Sequence, residues 1–161
     1  MRKYKIGFDM DKVLTDFDKA YKQQWKETQQ FPQAGARFFD ELDLLFSNEI
    51  ANIEYVKKLS LLGHDVRIIT APSIPNINCW TGKAVWIQRY FGQEFLKKVV
   101  MTYDKAIASR YVDILVDDST KNGQLAFGDG LITYGSEKYP DMKSVFDQIN
   151  EWSKEDKIFN R

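Results

Sequence analysis

Five short apolar runs, each parted from the next by a stretch with helical spacing, constrain this chain more than any other feature. The runs are Tyr4 to Asp9, Asp65 to Thr70, Lys97 to Thr102, Val112 to Asp118 and Gly130 to Gly135. Valine and isoleucine dominate them without strict alternation, as in strands covered on both faces of a parallel sheet. Between them, Ile50, Ile53, Val56, Leu59 and Leu62 recur at three-residue steps, and Tyr55 widens the stripe. Gly63 follows as a left-handed cap. Gly82 to Phe91 reads as a second helix, with Trp86 and Tyr90 on one face and Gly92 closing it. Pro140 and Asp141 open a last helix bearing Val145, Ile149 and Trp152. Such alternation predicts an α/β, three-layer Rossmann-like fold with a mainly parallel sheet.

One stretch breaks the pattern. Gln23 to Phe46 is a glutamine-rich helix end, a loop around Pro32 and Gly35, and a short aromatic-acidic helix. We read it as a small helical cap, about residues 18–46, inserted into a single domain spanning 1–161. A connection of that length is a natural place for a lid or binding loop.

Composition narrows the class. The chain has 161 residues, 43% hydrophobic and 29% charged, enough for one domain with a sizeable core. Lys and Arg total 23 and so do Asp and Glu, so no charge excess points to nucleic acid or a membrane surface. Cys79 is the single cysteine and His64 the single histidine, which excludes an internal disulfide and argues against zinc. No run has transmembrane length, and the first apolar run is too short for a signal-peptide core. A cytoplasmic location is expected, or synthesis inside a host cell by a virus. Trp25, Trp80, Trp86 and Trp152 read as packing residues, and Cys79 as an inert thiol.

In open parallel sheets ligands bind at the carboxyl ends of the strands. The first run ends at Asp9, with Asp11 two residues on. The second ends at Thr70, followed by Ala71. After the third come Tyr103, Asp104 and Lys105, and the fourth ends in Asp117 and Asp118. Taken singly, each has an ordinary reading: turn or cap for the aspartates, a strand residue for Thr70, a solvated cation for Lys105. Together they crowd carboxylates that repel unless a cation lies between them. An oxygen-only set of this kind suits Mg²⁺. A metal, a lysine and a hydroxyl around an aspartate suit phosphoryl transfer through an aspartyl-phosphate, with a second acid for the leaving group. Asp9 and Asp11 are the candidates for nucleophile and acid.

The order of these motifs resembles the haloacid dehalogenase (HAD)-like superfamily of phosphatases. FDMDKVLTDF, RFFDEL, IITAPS, GKAVWIQRYFGQEFLKKVVMTYDK and ILVDD further resemble the 5'(3')-deoxyribonucleotidases, over roughly Tyr4 to Asp118. The resemblance implies Mg²⁺-dependent hydrolysis of nucleoside monophosphates, with Asp9 as nucleophile. Asp11 would be general acid and then base, its backbone carbonyl touching the metal. Thr70 and the Ala71 backbone N–H would meet the phosphoryl group, Lys105 would neutralise it, and Lys83 would be a second phosphate contact. Asp117 and Asp118 would hold the metal, Asp118 directly. Phe17 and Phe38 or Phe39 match the aromatics of the base pocket. A homodimer is also implied.

The chain departs from that pattern. Lys12 and Ser119 stand where such enzymes commonly have glycine and arginine, and Ala71 lacks the hydroxyl expected there. The insertion is short for a nucleotidase cap. Two other readings therefore stay open. One is a HAD-type phosphatase for another small phosphate ester or a nucleic-acid 3'-phosphate. The other is a non-catalytic metal- or nucleotide-binding domain.

Overall fold

The computed structural model describes residues 1–19, 52–74 and 78–160. Nearly all of the expected cap, with Phe38 and Phe39, lies outside them.

Five strands form one sheet: β1 (Lys5–Phe8), β2 (Asp65–Thr70), β3 (Val99–Met101), β4 (Ile114–Asp117) and β5 (Leu131–Thr133). Their order is β3-β2-β1-β4-β5, and every pairing is parallel. This is the expected α/β architecture. From β1 the chain builds outward through β2 and β3, then crosses back to place β4 on the other side of β1. The strand order thus reverses between β1 and β4, so their carboxyl ends flank the crevice where such sheets bind ligands.

Three helices lie wholly within the described residues: α1 (Ile53–Leu61), α2 (Asn78–Phe91) and α3 (Met142–Lys154). The α1 stripe buries Ile53, Val56 and Leu59, the positions its spacing marked. Gly63 (φ 88°) and Gly92 (φ 87°) end α1 and α2 in the left-handed region, which carries no Cβ penalty for glycine. Asp141 starts α3 through a capping box: the Ser144 N–H donates to Asp141 Oδ1 at 2.8 Å, and the Asp141 N–H turns back to Ser144 Oγ.

Two differences from the sequence reading concern boundaries. The run Lys97 to Thr102 is only half strand, because Gln93–Lys98 winds as a 3₁₀ segment after Gly92. The helix read from Gly82 to Phe91 already begins at Asn78, and beyond Asp118 turns lead to a 3₁₀ segment, Gln124–Gly130. The tryptophans also divide. Trp86 and Trp152 are core residues, whereas Trp80 is exposed and Trp25 lies outside the described residues.

The two faces of the sheet are unequally clothed. Ile6, Phe8, Val66, Ile68, Ile114 and Val116 join the buried residues of α1 and α3 in the main core. Ile69 and Leu115 face a thinner layer with Ala108, Val112 and Phe127, the last two drawn from connections after β3 and β4. Gly7 lets Ile69 pack close on this thin side: a Cβ there would lie 2.3 Å from Ile69 Cδ1, which would have to shift. No helix among the described residues is long and apolar enough to cross a membrane.

At the opposite end of the sheet, His64 is buried and stacks on Tyr4 at 5.9 Å between ring centres. Its Nδ1 accepts the Tyr4 N–H at 3.1 Å, which requires an unprotonated nitrogen. Burial, and secondarily the Lys3 charge, lower its pKa from 6.5. The unfolded chain therefore takes up the proton first as pH falls, so this stabilisation is complete above 6.5 and is lost below it. The contribution of His64 to the urea midpoint, read as wild type minus His64→Asn, should fall between about pH 7.5 and about pH 5.5. An unchanged difference would show that His64 does not carry that stabilisation.

Candidate active site

Each candidate side chain is placed by the end of an element. The Asp9 N–H donates to the Val116 carbonyl at 2.8 Å, extending the β1–β4 ladder by one residue. The next residues close tightly: the Leu14 and Thr15 N–H groups both donate to the Met10 carbonyl, and the Lys12 N–H donates to that of Thr15. Met10, Val13 and Leu14 are buried inside this loop, which leaves Asp9, Asp11 and Lys12 towards the crevice. Lys12 adopts φ 65°. A lysine there costs roughly 1–2 kcal/mol relative to the right-handed region, and glycine would be relieved of that cost. Its ammonium meets Asp18 at 3.3 Å, an exposed pair that offsets little of it.

Lys105 is the centre of the site. It is 2% exposed and lies 2.8 Å from Asp9 Oδ1 and 2.5 Å from Asp117 Oδ2. Burial alone would weaken the ammonium, but the two carboxylates outweigh it and hold the pKa of Lys105 above its usual value. The surrounding loops keep it there. Asp104 caps the turn by accepting the Ala106 N–H at 3.0 Å, and the Lys105 N–H donates to the Asn122 carbonyl at 2.8 Å. Asp117 is fully buried, and its other oxygen accepts the Ser119 N–H (2.9 Å) and Gln124 Nε2 (3.2 Å). Both Asp117 oxygens are thus occupied by donors, whereas Asp118 is partly exposed and faces the crevice.

Charge is crowded here. One oxygen each of Asp9, Asp117 and Asp118 lie within 4.8 Å of one another. Burial, helped by Asp117 and Asp11 against Lys105, pushes the Asp9 carboxyl up to about 6. Burial, then Asp117, raises Asp118 as well. Three carboxylates facing one bridging ammonium form an oxygen-only donor set that fits a hard divalent cation. The Asp11 carboxylate stands apart: Lys83 Nζ donates to its Oδ2 at 2.8 Å, and the ligand expected of Asp11 is its backbone carbonyl.

The crevice encloses about 540 Å³. Its lining includes Asp9, Asp11, Phe17, Ala71, Lys105, Asp117 and Asp118. Thr70 and Lys83 are buried beneath that wall, joined by a 2.7 Å hydrogen bond. Nine of the sequence-derived candidates are therefore brought to one end of the sheet; Phe38 and Phe39 are outside the described residues. Phe17 is 6% exposed and largely committed to the core. Gln124 escaped the sequence reading. A glutamine seven residues beyond Asp117 has no local signature, and only the 3₁₀ turn swings it back onto that carboxylate. Tyr103, named at the end of the third run without a role, is exposed at the rim.

Fold and site together define an open parallel α/β protein with an acidic, lysine-bridged site at its topological switch point. No protein-family model matches the chain. A protein of Vibrio phage KVP40, provisionally named a 5'(3')-deoxyribonucleotidase, is 27% identical over 157 residues, covering 92% of this chain and 86% of its own length. One of Acanthamoeba polyphaga mimivirus, provisionally given the same name, is 31% identical over 146 residues, 71% of this chain and 62% of its own length. The human mitochondrial 5'(3')-deoxyribonucleotidase is 39% identical over 82 residues, 50% of this chain and 33% of that protein. The matched stretch thus spans most of the phage protein but under two thirds of the other two. The chain is similar to the 5'(3')-deoxyribonucleotidases, as its motifs indicated.

Gly123 tests how firmly the site is held. It adopts φ 86°, and a Cβ there would lie 2.6 Å from the Ala106 backbone nitrogen. Gly123→Ala should destabilise by about 1–3 kcal/mol in chemical denaturation. A change within about 0.5 kcal/mol would show that the loops around Lys105 can yield.

Proposed function

We propose that this protein is a phosphoric monoester hydrolase that removes phosphate from nucleoside monophosphates, deoxyribonucleotides foremost, with Mg²⁺ and through a phosphorylated Asp9. One observation carries the reading: Lys105 bridges Asp9 and Asp117 at the switch point, with Asp118 close enough to share a cation. The names of the similar proteins supply the substrate class.

Asp9, Asp118 and the Asp11 backbone carbonyl would hold Mg²⁺, with Asp117 supporting from behind. The bound ion would draw off negative charge from the phosphoryl oxygens. Asp9 attacks phosphorus through a carboxylate oxygen, and the P–O bond to the nucleoside breaks. Asp11 gives its proton to the departing oxygen. Water then attacks the Asp9 phosphate, Asp11 recovers a proton from it, and inorganic phosphate leaves. Lys105 remains charged beside Asp9 and meets the anionic phosphoryl group, a role suited to a buried, fixed ammonium. Thr70 keeps a hydroxyl proton available for a phosphoryl oxygen, since its Oγ1 is an acceptor towards Lys83.

Phosphate release from dUMP, dTMP, UMP and an aryl phosphate, with Mg²⁺ or with EDTA, tests the reading. Metal-dependent release that favours a deoxyribonucleotide is expected. Release from the aryl ester alone would discard the nucleotide, and release from none would discard the enzyme. Asp9→Asn should abolish turnover yet stay folded, because Lys105 retains Asp117. Residual activity within about tenfold of wild type would exclude Asp9 as nucleophile. Asp11→Asn should slow dUMP by about 100-fold or more while an activated aryl phosphate recovers much of the rate. Equal losses on both esters would remove the acid role.

A further inference from the structure

Lys83 invites the simplest assignment, a second phosphate contact, but its surroundings do not suit that role. It rises from α2 and is 1% exposed. An ammonium has three hydrogens to donate, and here each has an acceptor: Asp11 Oδ2 at 2.8 Å, Thr70 Oγ1 at 2.7 Å and the Ala71 carbonyl at 2.9 Å. The crevice wall contains Lys12, Lys105 and Lys121, not Lys83. To touch phosphate, Lys83 would have to break one of three short bonds inside a buried pocket. Its partner shows the complementary feature. Asp11 Oδ1 is buried and has no hydrogen-bond partner among the described residues.

We propose that Lys83 is a positioning residue, which clamps Asp11 by Oδ2 and so assigns proton transfer to Oδ1. This rests on the phosphatase reading given above. In the first half-reaction Oδ1 carries the proton and delivers it to the nucleoside oxygen as the P–O bond breaks. In the second, Oδ1 takes a proton from the water whose oxygen bonds to phosphorus, and Asp9 is released with its electron pair. Lys83 exchanges no proton in either half. The same ammonium makes Thr70 Oγ1 an acceptor and so turns the hydroxyl proton away from Lys83. Its effect on the reaction runs through Asp11, and it meets no substrate atom itself. A free Asp11 carboxylate could present either oxygen, and a misplacement of that scale at a reacting group is costly.

The test compares wild type, Lys83→Met, Asp11→Asn and the double variant with Mg²⁺, on dUMP and on an activated aryl phosphate. Inorganic phosphate serves as a competing ligand. Lys83→Met should lower kcat on dUMP by about 100-fold, the scale of general acid–base catalysis, and alter the aryl ester by about threefold at most. Inhibition by inorganic phosphate should stay within about threefold of wild type, since no phosphate contact is lost. In the Asp11→Asn background the same change should add less than about threefold, because Lys83 acts through Asp11. Phosphate inhibition weakened about tenfold or more, equal loss on both esters, or an additive loss in the double variant would overturn the proposal. Should Lys83→Met not melt cooperatively, Lys83→Gln keeps a donor for Asp11 and should show a smaller loss, again confined to dUMP. Wild-type protein that releases no phosphate from either ester overturns the phosphatase reading and this one together. Wild type active on both, with Lys83 variants losing both equally, overturns the positioning role alone.

Discussion

Lys105 between Asp9 and Asp117 is the contact on which the rest of this site depends. All three groups are buried, and taking a charge out of water costs several kcal/mol unless partners compensate it. Deleting the lysine would leave both carboxylates buried without their cation, at about 3–5 kcal/mol. The neighbouring structure follows from that constraint. Asp117 spends its second oxygen on the Ser119 N–H and on Gln124. The Lys105 backbone is tied to Asn122, and only a glycine fits at 123, against Asp104 and Ala106. Three connections, those after β1, β3 and β4, are thus fastened around one ammonium.

Two lysines divide two aspartates between them. Lys105 comes from the turn after β3 and holds Asp9; Lys83 comes from α2 and holds Asp11. The aspartates are two residues apart, yet their surroundings differ. Asp9 shares its cation with Asp117 and lies within reach of Asp118, which places it in the cluster able to take a metal. Asp11 is paired outside that cluster and keeps one oxygen without a partner. Identical side chains acquire separate proposed roles, nucleophile and proton carrier, because environment rather than residue type sets their chemistry.

Lys12 shows a cost tolerated at the same place. The loop from Asp9 to Thr15 is closed by backbone hydrogen bonds that dictate a left-handed residue after Asp11. Glycine would adopt it freely, and lysine does so under strain of the kind found at functional sites. In return the crevice mouth gains a positive charge that partly opposes the upward shift that burial and Asp117 impose on Asp118.

The strands of the main core were legible because valine and isoleucine mark them directly, and Asp65–Thr70 agrees at both ends. Half of the run Lys97 to Thr102 was not, because a glycine-terminated helix continued as a 3₁₀ turn whose residues carry no strand or helix signature of their own. The helix stripe of α1, its Gly63 stop and the cap at Asp141 are local chemistry, and local chemistry survives reading in one dimension. Which residue types gather at the strand ends was likewise decided by the sequence, since parallel strands can end only on one edge. The pairing among them was not. Lys105 alone reads as a solvated surface cation and Lys83 as a phosphate contact. It takes the strand order, with β4 beside β1, to bury the first between Asp9 and Asp117. It takes the packing of α2 to saturate the second at Asp11, Thr70 and Ala71, 72, 13 and 12 residues away along the chain. Contacts over such separations are chosen by the fold, because only the folded chain decides which charges must share the same dry space.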